Sequence, residues 1–186
     1  MEHYGGGVIG TKEWHLHTDD LRNAAPNLRA GDRVFLSGTV YTARDAAHKR
    51  LFAERAAGKE APFPLTDAVI YYSGSTPAPE GRPIGSCGPT TSGRMDVYTP
   101  QLYEDGVVAT VGKGKRAPAV VDAIKRCGAV YFCAVGGAGA LAAQRVTACE
   151  VIAYDDLGCE AVKRVTWQDF PLIVAVDANG NDLFAS

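Results

Sequence analysis

Residues 33–41 read Arg-Val-Phe-Leu-Ser-Gly-Thr-Val-Tyr, a run of β-branched and aromatic positions that predicts a strand after a turn at 28–32. Ala47, Leu51, Phe52 and Arg55 then fall near i, i+4, i+5 and i+8, which predicts a helix over 44–57 with Gly58 as its stop. A short apolar strand follows at 68–72. Residues 73–93 carry too much Gly, Pro, Ser and Thr for a regular element and read as a long loop, of the kind that is usually functional in a compact domain. Beyond it the pattern alternates: a short helix at 95–103, a strand at 107–111, and a helix at 117–126 with Pro118 in its first turn. An almost unbroken apolar strand at 129–135 reads as buried on both faces. A short helix at 139–145 and strands at 148–153, 162–167 and 172–177 complete the chain, with a turn signal at Ala178-Asn179-Gly180-Asn181. Strands alternating with helices, plus antiparallel additions at the ends, predict a mixed α/β domain.

Composition narrows the class. The chain has 186 residues, enough for one well-buried core, with 46% hydrophobic and 22% charged positions. A formal net charge of −2 gives no general basic field for nucleic acid. No apolar run approaches the length of about 18 residues that a membrane helix needs. The first 13 residues, including Gly5-Gly6-Gly7, are expected to form a flexible lead-in without a secretory signal, ahead of a single domain over 14–186. A cytoplasmic location is the expectation. Five cysteines, Cys87, Cys127, Cys133, Cys149 and Cys159, show neither a C-x-x-C pair nor a ferredoxin spacing, and read as structural thiols.

Three polar, glycine-bearing segments end predicted strands: 37–50, 85–96 and 112–116. In α/β sheets, ligands collect outside the carboxyl ends of strands, so these loops are expected to converge. Together they would present Arg44, Arg94 and Lys113, a cationic set suited to a dicarboxylate, around Thr90 and Thr91 in Gly88-Pro89-Thr90-Thr91. That field would lower the cost of an alkoxide-like oxygen on Thr90. Each feature has a plainer alternative. Arg44 on a first helical turn fits a solvated residue, Gly-Pro-Thr-Thr fits a turn with an N-cap, and Gly112-Lys113-Gly114-Lys115-Arg116 fits an exposed basic loop. His48 is read as a hydrogen-bonded structural histidine in preference to a general acid or base. Residue types and spacing alone lead to an anion-binding α/β domain.

The same segments carry a resemblance. Gly31-Asp32-x-Val34-x-Leu36-Ser37-Gly38-Thr39, followed by Thr42-Ala43-Arg44-Asp45-Ala46-Ala47-His48-Lys49-Arg50, resembles the start of the β subunit of class I iron–sulfur fumarases and of L(+)-tartrate dehydratase. Gly88-Pro89-Thr90-Thr91-Ser92-x-Arg94-Met95-Asp96, Gly112-Lys113-Gly114, Val135-Gly136-Gly137-Ala138-Gly139-Ala140 and Glu160-Ala161-Val162 are similar to further stretches of that family, over residues 14–184. The resemblance implies a swivelling β/β/α domain and reversible addition of water to a dicarboxylate. It implies a [4Fe–4S] cluster held by three cysteines of an α subunit, whose open iron is a Lewis acid, with the active site between the two parts. It assigns Arg44 and Arg94 to substrate carboxylates, Lys113 to a further cationic contact, Thr90 to the catalytic base and Thr91 to a supporting donor. The acid partner is expected from the α subunit, in an α2β2-type hetero-oligomer. Within the family the chain reads as a fumarase β subunit, with tartrate dehydratase as the alternative. Cys87, beside the threonine loop, is read as a bystander.

Two readings from other classes stand beside it. Gly137-Ala138-Gly139-Ala140-Leu141-Ala142 fits G-x-G-x-x-A after an apolar strand, with Asp155 or Asp156 as the ribose-binding acid of a nucleotide-binding domain. A non-catalytic scaffold for an α subunit is the other.

Overall fold

In the computed structural model, residues 12–134 and 139–185 are described. The strands are β1 (Glu13–His17), β2 (Arg33–Thr42), β3 (Val69–Tyr71), β4 (Ala109–Gly112), β5 (Val130–Ala134), β6 (Val146–Ala153) and β7 (Val162–Val176). The helices are α1 (Leu21–Ala24), α2 (Asp45–Ala56), α3 (Thr99–Glu104), α4 (Pro118–Cys127) and α5 (Gly139–Gln144), so the fold is mixed α/β.

β2, β3, β4 and β5 pair in parallel in that order. β7 lies antiparallel to β5 on one edge and to β2 on the other, which closes the five strands into a ring. Alternate residues point inward (Leu36, Val40, Val69, Tyr71, Val111, Phe132, Trp167 and Leu172 among them), and together with Phe170 they fill the interior. There Trp167 stacks on Phe170 at 3.8 Å, with Tyr71 edge-on to both. The opposite faces of the strands, carrying Ile70, Tyr72, Tyr131 and Ala175, pack against Ala47 and Leu51 of α2, Leu102 and Tyr103 of α3, and Val120 and Ile124 of α4. β1 and β6 extend the sheet outside the ring.

Three sequence expectations change. Residues 1–11 of the expected lead-in lie outside the described residues, but Glu13 already begins β1, which was not expected; its Trp14 indole and the Lys12 amide both donate to the buried Asp32 carboxylate at 3.0 Å. The expected helix at 95–103 is a 3₁₀ turn, Ser92–Met95, followed by α3. Pro100 has no N–H to give and takes the first turn of α3. The last two expected strands are one, β7, running through Pro171. Antiparallel pairing with the whole of β2 carries it across, with a register shift between Leu36 and Gly38. Asp169 takes a left-handed φ of 47° at this point, and its amide is satisfied by Ser37 Oγ at 2.9 Å.

Candidate functional site

The site grows from the carboxyl ends of β2, β3 and β4. After Thr42 the chain stays beside β3 through an Ala43 N–H bond to the Tyr71 carbonyl. Arg44 is the extended residue before α2, with φ −128°. Its carbonyl accepts two bonds from His48, from the amide at 2.9 Å and from Nδ1 at 2.8 Å. A carbonyl only accepts, so Nδ1 carries the hydrogen and Nε2 is bare. Nε2 is buried without a partner among the described residues. Desolvation, opposed by the bond to Arg44 and reinforced by the charge of Arg116, pulls the His48 pKa down to about 4. A neutral, sequestered imidazole is a clamp on the Arg44 main chain, in keeping with the structural reading.

The Arg44 side chain lies across Gly74, where an added Cβ would sit 3.0 Å from Arg44 Cδ. Arg44 Nε faces Asp45 Oδ2 at 3.3 Å and Glu160 Oε1 at 3.2 Å. Arg94 Nε binds the other Asp45 oxygen, Oδ1, at 2.9 Å. One carboxylate therefore spans both arginines and leaves their terminal nitrogens without hydrogen-bond partners among the described residues, as a carboxylate-binding pair requires.

The threonine loop is sewn to the strand ends by its main chain. Thr90 N–H bonds the Tyr72 carbonyl at 2.6 Å, Lys113 N–H bonds the Thr90 carbonyl at 3.3 Å, and Ser92 N–H bonds the Lys113 carbonyl at 2.9 Å. Thr91 and Lys113 form a parallel bridge. Gly112 makes this approach possible, because a Cβ there would stand 2.0 Å from Ser92 Oγ and 3.1 Å from the Thr90 carbonyl. Thr90 is buried, while Thr91, Arg94 and Lys113 are exposed. Contacts thus link all five candidates in sequence: Lys113 to Thr90 and Thr91, Thr91 to Arg94 through a 3.4 Å backbone bond, Arg94 to Asp45, and Asp45 to Arg44.

Several residues of the site were not singled out from the sequence. Asp45 and Glu160 hold the arginines, and Glu160 also accepts from the Ala46 amide at 3.2 Å. Arg116, which the plainer alternative would put in an exposed basic loop, is 1% exposed. It binds Asp96 at 2.7 Å and Thr99 at 2.7 Å, and lies over the rings of Tyr72 and Tyr131. Asp96 also accepts from the Ala117 amide at 2.7 Å, so one carboxylate joins the Arg94 turn to the start of α4.

Cys87 is buried, and desolvation pushes its thiol up to about 11, so it stays protonated. Among the described residues no group of three His, Cys, Asp or Glu side chains converges to hold a metal ion. Of the G-x-G-x-x-A stretch, Gly137 and Ala138 lie outside the described residues. Asp156 is engaged by both terminal nitrogens of Arg50, at 2.6 and 2.7 Å. No helix among the described residues is long and apolar enough to cross a membrane.

Comparison with known proteins places the chain in a family. Residues 6–186 match the family model described as Fumarase C-terminus. The chain is 42% identical over 154 residues to Fumarate hydratase class I, anaerobic, of Escherichia coli (strain K12), covering 82% of this chain and 28% of that protein. It is 38% identical over 170 residues to Fumarate hydratase 2 of Leishmania major, covering 90% of this chain and 30% of that protein. It is 32% identical over 175 residues to L(+)-tartrate dehydratase subunit beta of Shigella boydii serotype 4 (strain Sb227), covering 91% and 84%. The chain therefore spans under a third of the fumarate hydratases it matches but most of the tartrate dehydratase subunit. Matched along nearly all its length, with the arginine pair and threonine loop held on adjoining strand ends, this chain belongs to the Fumarase C-terminus family.

Proposed function

We propose that this chain is the β subunit of an iron–sulfur-dependent hydro-lyase that reversibly hydrates fumarate to malate, and that it turns over only with an α subunit. The observation that carries the reading is the Asp45 carboxylate between Arg44 and Arg94, beside the Thr90 loop. Arg44 and Arg94 bind the substrate carboxylates with their free terminal nitrogens, and Lys113 adds a further positive contact. Thr91 supplies a supporting hydroxyl. Thr90 exchanges the proton at the carbon that gains or loses it. An ordinary threonine hydroxyl is too weak an acid for that task, and the neighbouring cations together with water exclusion on closure make it feasible. The [4Fe–4S] cluster and the acid that handles the hydroxyl are assigned to the α subunit, in an α2β2-type assembly in the cytoplasm.

A tartrate dehydratase β subunit is the second reading, favoured by the 84% coverage of the Shigella boydii subunit. Co-expression with an α-type partner and anaerobic rebuilding of the cluster, followed by assays of fumarate hydration and tartrate dehydration, decides between the two. Thr90→Ala and Arg94→Ala in that complex are expected to lower turnover by at least about 10²-fold. Unchanged turnover would leave a scaffolding role only.

A further inference from the structure

Lys163 is 8% exposed: alternation along β7 leaves Arg164 in solvent and turns Lys163 to the opposite face. Its Nζ donates to Ser75 Oγ at 2.8 Å and to the Cys159 carbonyl at 3.1 Å. An ammonium has three donors, and the third has no partner among the described residues. No carboxylate among them pairs with it either. Buried charges are ordinarily compensated by an opposite charge, and no side chain among the described residues supplies one here.

The same amine lines a cavity of about 370 Å³ bounded by Ser75–Ala78, Pro83, Ile84, Cys149, Val151, Gly158 and Cys159. Apart from Lys163 the lining offers hydroxyl, thiol and main-chain groups among aliphatic surface, and no second charged side chain. None of Arg44, Thr90, Thr91, Arg94 or Lys113 contributes to it. Desolvation holds the Lys163 pKa below its usual value, opposed by Cys149, Cys159 and Cys87, and an anion in the cavity would restore the charged form.

We propose that this cavity is a second small-molecule site, taking a short-chain monocarboxylate whose charged end pairs with Lys163 Nζ and whose alkyl tail lies along Pro77, Ile84 and Val151. One charge and an apolar wall suit a monoanion with a tail. A dicarboxylate would have to bury its second charge without a partner. Neither arginine of the pair lines this cavity.

Calorimetric titration of the full chain with acetate, butyrate and hexanoate tests this. Saturable one-to-one binding is expected, tightening by up to about fourfold per added methylene. Lys163→Met is expected to weaken butyrate binding at least tenfold. Because that change removes the bonds to Ser75 and Cys159, Ala78→Trp, which fills the cavity with Lys163 intact, is the second variant and is expected to abolish binding. Arg94→Ala is expected to leave it unchanged. The proposal is overturned if no saturable binding occurs, if Ala78→Trp binds as the parent does, or if the arginine variant loses binding instead. Retained binding in the arginine variant alongside lost turnover would separate this site from the proposed catalytic one.

Discussion

Arg94 is tied to Asp45 across 49 positions of sequence by a 2.9 Å bond from its Nε, while Arg44 approaches the other oxygen of the same carboxylate. The anion needed to hold two arginines near each other is thus inside the protein, and it engages the inner nitrogens only. On the proposed reading, this arrangement pre-organises the pair for a planar anionic substrate group.

Asp45→Ala should therefore free Arg94 and leave Arg44 held by Glu160 alone, so that the two are no longer tied together. In the reconstituted enzyme the expected result is a rise of about tenfold or more in KM for the dicarboxylate with a smaller change in kcat, since binding geometry is lost while Thr90 is untouched. Steady-state kinetics, with circular dichroism to verify folding, would show it. A fall in kcat at constant KM would contradict the role.

His48 makes a pH prediction. Its pKa falls from 6.5 to about 4 on folding, so the unfolded chain binds its proton more tightly. The resulting stabilisation is fully present above pH 6.5 and is lost as pH falls through 6.5 towards 4, amounting to about 3 kcal/mol. Arg116 and Asp45 are the charged groups that face this imidazole, the first lowering its proton affinity and the second raising it. Thermal melts of His48→Asn, which cannot titrate, should lie below the parent at pH 7 and converge with it as pH falls to 4.5. A constant gap would refute this account.

Asp96 and Arg116 should be unequal when removed singly. Asp96→Ala strands a guanidinium that has no exposed side-chain surface, at a cost of about 3–5 kcal/mol. Arg116→Met replaces the buried cation with an apolar group of similar length and leaves a carboxylate that keeps its bond to the Ala117 amide, so its cost should be smaller. Urea denaturation of the two variants would rank them, and the reverse order would overturn the assignment.

Much of this was legible in the amino-acid pattern because local and global signals agree. β2 is dense in β-branched and aromatic positions, α4 begins at Pro118 and ends at a left-handed Gly128, and both appear where expected. The unity of β7 was hidden, since the pattern breaks locally around Pro171 while the nine residues of β2 that pair alongside are distant in sequence. Arg44, Thr90, Arg94 and Lys113 stood out as chemistry-bearing residues at strand ends. Asp45 did not, because an acid in a first helical turn has an ordinary explanation in the helix dipole. Arg116 and Lys163 sit in basic runs that look solvated, and their burial depends on contacts with Asp96 and Ser75, distant in sequence. The need for glycine at 112 is equally non-local, being set by Ser92 and Thr90 pressing on a strand end.

The closure of β2 onto β7 has a last consequence, for how this protein meets its neighbours. Strands whose two sides are both engaged offer no unpaired amides to another chain, so among the described residues lateral growth has only the outer borders of β1 and β6 to use. Those borders carry Glu13, His15 and Glu150, charged or titratable side chains that discourage fusion with another sheet. Association is steered away from strand addition, towards surfaces built by loops and helices.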